Sequence, residues 1–352
     1  MKVMRPWVLS VFVVWGFLVA HAAAQQQQEL KVERLDPALD QLVPAHAQLI
    51  RAATGFTWVE GPVWTASGDL YFADITSNSI RKLTPQGQVS ILLQPSGYVG
   101  TAPYGGKEPG SNGMTLDPQG RLTVAGHARR TVWRLETLEG SGRQTVLASA
   151  YQGKQFNSPN DLIYKSDGSL YFTDPPYGLR TQGDSDLHKE LKVNGVYRLP
   201  GAAAQKPGSA PDNSRLQLLV KDLTRPNGIA FSPDEKILYV SNSEPKKMWM
   251  SYPVKADGTL GPGKVFFDAT SDNRPGLPDG MKVDVKGNLY SAGPGGVWIF
   301  SPDGRHLGTL LIPEKVANLA WGGTNHTTLY IAASSSIYRV AVKVPGIPPG
   351  PR

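Results

Sequence analysis

The chain has 352 residues, 40% hydrophobic and 18% charged, which suits a soluble globular protein and is too polar for an integral membrane one. Lys and Arg outnumber Asp and Glu by 36 to 29, giving a formal charge of +7, but the basic residues are scattered. The densest pairs, Arg129-Arg130 and Lys246-Lys247, are too sparse for a nucleic-acid patch. The absence of cysteine excludes disulfides, thiolate zinc sites, iron–sulfur clusters and a cysteine nucleophile.

The chain opens with Lys2 and Arg5, an almost unbroken apolar stretch from Trp7 to Ala20, and small residues at Ala22-Ala23-Ala24. This order of basic, apolar and small residues predicts a secretory signal peptide over residues 1–24. The mature chain is expected to begin near Ala23 to Gln25 and to be exported, to the periplasm or beyond, with no membrane span after cleavage. Residues 25–50 read as a leader or linker that can supply part of a closing sheet.

From residue 51 onward one unit recurs. Its first strands begin at Glu60, Asn112, Asn160, Asn227, Asp279 and Asn318. Each copy has a short apolar strand, a turn rich in Gly, Asp, Pro or Ser, and a second strand that usually begins Leu-Tyr. Third strands follow at Ser79–Leu83, Thr131–Leu135, Gly195–Leu199, Gly296–Phe300 and Ser336–Val340. Fourth strands are expected at Val89–Leu93 and Leu216–Val220. Turns at Gly120, Asp167-Gly168 and Gly287 suit tight hairpins. Spacings of about 40–50 residues match four-stranded propeller blades. The longest interval contains a charged insertion, Thr181 to Val193. The expected fold is all-β: a six-bladed β-propeller over residues 51–343, with four-stranded antiparallel blades around a central channel. Arranged radially, such sheets leave few exposed edges. The Trp and Tyr residues at repeated positions are assigned to packing between blades. The segment 344–352, VPGIPPGPR from Val344, is proline-rich and is expected to be a flexible tail.

The residue that opens each first strand always carries a side-chain oxygen, and Gly follows it in four copies, at Gly61, Gly113, Gly228 and Gly280. If these strands line the channel, six oxygens converge at one end. Two carboxylates and four amides form a hard ligand set, which suits Ca2+. Mg2+ demands a stricter octahedron, and Zn2+ prefers nitrogen or sulfur; Mn2+ is a further candidate. There is no G-x-S-x-G elbow and no H-E-x-x-H helix. His127, just after a second strand, is a candidate substrate-binding or proton-shuttling group, and Tyr177 is a candidate pocket wall. Asp161 is placed behind the ring, orienting a neighbour.

The motifs Trp58–Trp64, Ser111–Leu122, Asn157–Gly178, Arg225–Asp234 and Leu277–Tyr290 together resemble the senescence marker protein/gluconolactonase (regucalcin-like) family of propeller hydrolases. That resemblance runs from about Gly55 to Val340. It implies metal ligands at Glu60, Asn227 and Asp279, with Asn160 as a further ligand or a substrate contact. The implied activity is divalent-metal-dependent hydrolysis of a sugar lactone. Asp279 is assigned as the catalytic base, with Glu60 as the second candidate, and Asn112, Asn160, His127 and Tyr177 as substrate contacts. An esterase or phosphotriesterase on the same site, and a non-catalytic calcium-stabilised binding propeller, are the alternatives. The expected partner is a small-molecule lactone or ester; oligomeric state is not legible.

Overall fold

The structure is a computed structural model that describes residues 26–138 and 142–350. The expected signal peptide lies outside these residues. Among the described residues no helix is long and apolar enough to cross a membrane. Helical structure is confined there to three short 3-10 turns, Pro37–Gln41, Ala202–Ala204 and Asn213–Arg215.

Six antiparallel sheets surround a central channel, as the repeats predict. Blade 1 runs Val59–Trp64, Leu70–Asp74, Ser79–Leu83 and Val89–Leu93. Blades 2 to 4 start with Met114–Leu116, Leu162–Tyr164 and Pro226–Phe231, and each continues as a four-stranded meander. Blade 5 starts with Met281–Val283 and gains Val32–Arg34 as a fifth, outer strand against His306–Leu311. Blade 6 takes Val316–Gly322, Thr328–Ala333 and Ser336–Ala341 from the end of the chain and Gln48–Thr54 from its beginning. Gln26–Glu29 then covers that last strand. The leader thus closes the ring and also shields two sheet edges.

The hydrophobic core is divided among the blade interfaces, one cluster to each. Strand periodicity explains the division. In the Leu-Tyr pair the two side chains point to opposite faces of the sheet. Leu70 packs on the blade 6 side, among Ala320 and Ala332, while Tyr71 packs on the blade 2 side, among Met114 and Trp133. Leu170 and Tyr171, Leu238 and Tyr239, Leu289 and Tyr290, and Leu329 and Tyr330 repeat this split between preceding and following interfaces. Blade 2 has Leu122-Thr123 instead, and the Thr123 hydroxyl meets the Tyr164 hydroxyl of blade 3 at 3.1 Å. The assignment of repeated aromatics to packing between blades therefore holds.

The first strand of each blade lies innermost and touches the first strand of the next blade all the way round. Hydrogen bonds reinforce this belt. Gly113 N–H donates to the Asn160 carbonyl at 2.7 Å, the Thr173 hydroxyl donates to the Asn227 carbonyl at 2.7 Å, and Gly280 N–H donates to the Ala317 carbonyl at 2.8 Å. A Cβ on Gly228 would sit 2.2 Å from the Asp279 carbonyl oxygen, so only glycine allows the two backbones this approach.

The C-terminal segment differs from the expected flexible tail. Gly346 N–H donates to the His326 carbonyl and Ile347 N–H to the Val283 carbonyl, at 2.9 and 3.1 Å. Gly346 lies against the Trp321 indole, and Ile347–Gly350 crosses the channel end away from the oxygen ring. A proline-rich segment has few N–H groups to satisfy, and here the blades supply acceptors for those it has.

Belt closure generates a test. Gly228→Ala is expected to lower the unfolding free energy by about 1–3 kcal/mol, the usual range for overpacking. Gly183→Ala, where a Cβ would meet nothing closer than 3.8 Å, should leave it nearly unchanged. Urea denaturation of both variants checks the contrast.

Candidate functional site

Two local devices aim the ring residues into the channel. The first is a break in strand register. Pairing slips between Glu60 and Val63, between Pro226 and Ile229, and between Val316 and Asn318. Such bulges re-aim side chains near sites. The second is an acid or amide at the end of the second strand. Asp74 accepts from Thr57 and Trp58 N–H, Asp174 from Asn157 and Ser158 N–H, and the Asn242 side-chain oxygen from Arg225 N–H. Each pins the turn that leads into a ring residue.

Five of the six ring residues share one cavity of about 140 Å³: Glu60, Asn112, Asn160, Asn227 and Asp279. Trp58, Tyr177 and Leu277 wall it, and Glu108 and Ser243 complete its polar lining. Asn318 does not join them. Its Oδ1 is held by Lys282 Nζ at 3.2 Å and by Leu319 N–H at 2.8 Å. Its Nδ2 donates to Glu60 Oε2 at 3.0 Å and reaches Asp161 Oδ2 at 3.5 Å. The sixth side chain therefore lies behind the ring, where its Nδ2 orients Glu60 together with the Gly61 N–H, 2.6 Å from the same Glu60 oxygen. The expectation that all six oxygens converge is corrected to five.

Three of the cavity's oxygens are left without partners. Asn112 Oδ1, Asn227 Oδ1 and Asp279 Oδ1 are buried and accept no hydrogen bond. Asn227 is fixed in this sense because its Nδ2 donates to Ser243 Oγ at 3.1 Å, and Ser243 in turn donates to the Pro278 carbonyl at 2.7 Å. Buried acceptors left open carry a substantial desolvation cost. The electrostatics point the same way. Burial, then the nearby Asp161 charge, pushes the Glu60 carboxyl up to about 7. Burial, then Glu60 and Asp161, holds Asp279 well above the usual carboxylate range. Burial and like charge both favour the neutral acids, and a cation among these oxygens would reverse that preference. Among the described residues no three His, Asp or Glu side chains group as a metal site. The donor set here is mixed, two carboxylates with neutral amides, so the residues present fit a hard divalent cation.

The remaining candidates divide. Tyr177 lines the cavity, and burial raises its phenol above the ordinary range. His127 does not line it: the ring is fully buried behind Glu108. Asp161 stands behind Glu60, in contact with Asn318. Glu108 and Ser243 escaped the sequence reading because neither occupies a repeated ring position. The acid or amide ending LYFAD, LYFTD and LYVSN was visible in the repeats as the signal for the pinned turns. A larger cavity, about 250 Å³, opens at the other channel end beneath Ile347–Gly350. Its lining is largely apolar and includes no carboxylate among the described residues.

Fold and cavity together define a six-bladed propeller with an oxygen-lined site on its axis. A family described as the SMP-30/Gluconolactonase/LRE-like region matches residues 58–335, and the chain belongs to that family. The gluconolactonase of Zymomonas mobilis is 40% identical over 328 residues, covering 90% of this chain and 87% of that one. A 6-deoxy-6-sulfogluconolactonase of Pseudomonas putida is 30% identical over 280 residues, 78% of this chain and 82% of its own. The solved structure of a gluconolactonase from Xanthomonas campestris superposes with a TM-score of 0.76 at 31% identity, over 92% of this chain and 99% of that one. A calcium-binding regucalcin from Agrobacterium tumefaciens, at 19% identity and a TM-score of 0.65, shares the fold over 86% of this chain and 96% of its own.

Charge crowding in the cavity predicts a pH-dependent stability. In the unfolded chain Glu60 ionises above its ordinary value of 4.5, but in the cavity only near 7. The ion-free protein therefore loses stability as pH rises through that window. Asp279→Asn removes the neighbouring negative charge. With divalent ions chelated at pH 8, it should melt roughly 2–4 °C above the parent, the shift given by about 1 kcal/mol in a large domain. The gain should vanish near pH 4. Calorimetry at both pH values checks it.

Proposed function

We propose that the protein is a divalent-cation-dependent lactonase that opens sugar lactones of the gluconolactone class, with Ca2+ as its ion. The observation that carries the reading is the set of buried, unpartnered oxygens of Asn112, Asn227 and Asp279 sharing a cavity with Glu60. The family relatives named as gluconolactonases support the substrate class. The regucalcin neighbour's description as calcium-binding supports the ion.

Glu60, Asn160, Asn227 and Asp279 are the residues that would hold the cation. When bound, it would supply Lewis acidity toward the lactone carbonyl and neutralise the two carboxylates. The protein's own residues do the rest. Asp279 is assigned to take the proton of the attacking water, from its place in the cavity lining. Asn112, whose Oδ1 lacks a partner, and Asn160 would meet the sugar hydroxyls or carbonyl. Trp58, Tyr177 and Leu277 supply apolar walls that limit water.

A hydrolysis screen over glucono-1,5-lactone, an aryl ester and a phosphotriester, with calcium and with chelator, tests the reading. The lactone should be turned over fastest, and chelation should abolish that turnover. Asp279→Asn should lower lactone kcat by about 10²–10⁴-fold, the usual contribution of a positioned proton-transfer group, with the fold retained. Preference for either other substrate, or full activity in Asp279→Asn, would exclude it.

The reading also includes export. Residues 1–24 act as a signal, so the enzyme would meet its lactones in the periplasm or outside the cell. N-terminal sequencing of the exported protein should begin near Ala23 to Gln25, and a start at Met1 would exclude cleavage.

A further inference from the structure

Glu108 stands on the connection between Val89–Leu93 and Met114–Leu116 and lines the same cavity as Asp279. Both of its oxygens are held. Oε1 accepts from Gln182 Nε2 at 2.8 Å, and Oε2 lies 2.7 Å from His127 Nε2. Gln182 belongs to the charged insertion in blade 3, so two long loops meet at this carboxyl.

His127 stands between two acceptors. Its Nδ1 faces the Pro159 carbonyl oxygen at 3.2 Å, and its Nε2 faces Glu108 Oε2 at 2.7 Å. The short line between Nε2 and Oε2 holds a hydrogen that either the ring or the carboxyl can carry, so the pair can pass a proton between its members. His127 is completely buried, whereas the Glu108 side chain is 21% exposed. The way out for that proton is through Glu108, into the cavity.

We propose that Glu108 is a second catalytic residue, the acid that protonates the leaving ring oxygen, with His127 and Gln182 as its positioning residues. This rests on the lactonase reading above. Water oxygen bonds to the lactone carbonyl carbon, and its proton passes to Asp279. The bond from that carbon to the ring oxygen breaks, with its electron pair leaving on the ring oxygen. Glu108 delivers the stored proton there, giving the open hydroxy acid. Asp279 then loses a proton to solvent and the Glu108–His127 pair regains one, so lactone and water are balanced by product.

An acid is needed in proportion to the basicity of the leaving oxygen, and this gives the test. Glucono-1,5-lactone leaves as an alkoxide, whereas dihydrocoumarin leaves as a stabilised phenolate. Glu108→Gln keeps an oxygen and an amide for the same neighbours but has no proton to give. Its kcat should fall about 10²-fold on gluconolactone, the usual worth of a general acid, and about five-fold or less on dihydrocoumarin. His127→Gln should show the same split, and its dihydrocoumarin turnover reports that the variant is folded. Equal losses on both lactones in Glu108→Gln, or no loss on either, would overturn the proposal while leaving the lactonase reading intact. A parent enzyme that opens neither lactone would overturn the lactonase reading and this proposal with it.

Discussion

The structure depends on the close approach of six inner strands around one axis. Everything at the site is a consequence of that crowding. Backbones at Gly228 and Asp279 meet at a distance no side chain would permit, and the ring side chains are driven toward a common volume. Their polar atoms are then removed from water, and removal from water is what raises the Glu60 and Asp279 carboxyls. The fold therefore concentrates unsatisfied acceptors at one point while satisfying backbone groups elsewhere in the belt. Stability and function pull in opposite directions there, as is common where a site is preorganised.

Each interface between blades carries its own apolar cluster, and the clusters touch the site only through the belt. This arrangement separates the two tasks of the chain. Leu-Tyr pairs divide their side chains between adjacent interfaces and hold the blades together. The bulges after Glu60 and Pro226 turn other residues inward. Lys282 and Asn318 belong to neither task alone. Asn318 links Lys282 to Glu60, so positive charge deep in the channel lowers what the carboxylate would otherwise suffer from Asp161.

The blade count, the strand bounds and the ring were legible because each is repeated. A strand such as Ser79–Leu83 or Gly296–Phe300 is one instance of a pattern seen several times, so chance errors cancel. Departures from the pattern were harder to read. Asn318 has the right residue type in the right register, yet Lys282 and Glu60 turn it aside, and neither neighbour is near it in sequence. Glu108 sits in a connection that occurs once, so symmetry gives no sign of it. His127 was noticed for its chemistry, but its place behind Glu108 is set by the Pro159 carbonyl across a blade boundary. The tail misled for a compositional reason. Proline-rich segments often lack partners, and this one finds them at Val283 and His326.

The pairing of Gln48–Thr54 with Ser336–Ala341 joins the beginning of the chain to its end within one sheet. A ribosome that has delivered five blades has already made Glu60, Asn227 and Asp279, yet the gap between blades 5 and 1 is still open. The cavity appears only when the last strand arrives, through contacts of very high sequence separation, which form slowly. A truncated or stalled polypeptide thus carries every residue of the cavity lining in an open ring, and completed synthesis is what joins the two edges.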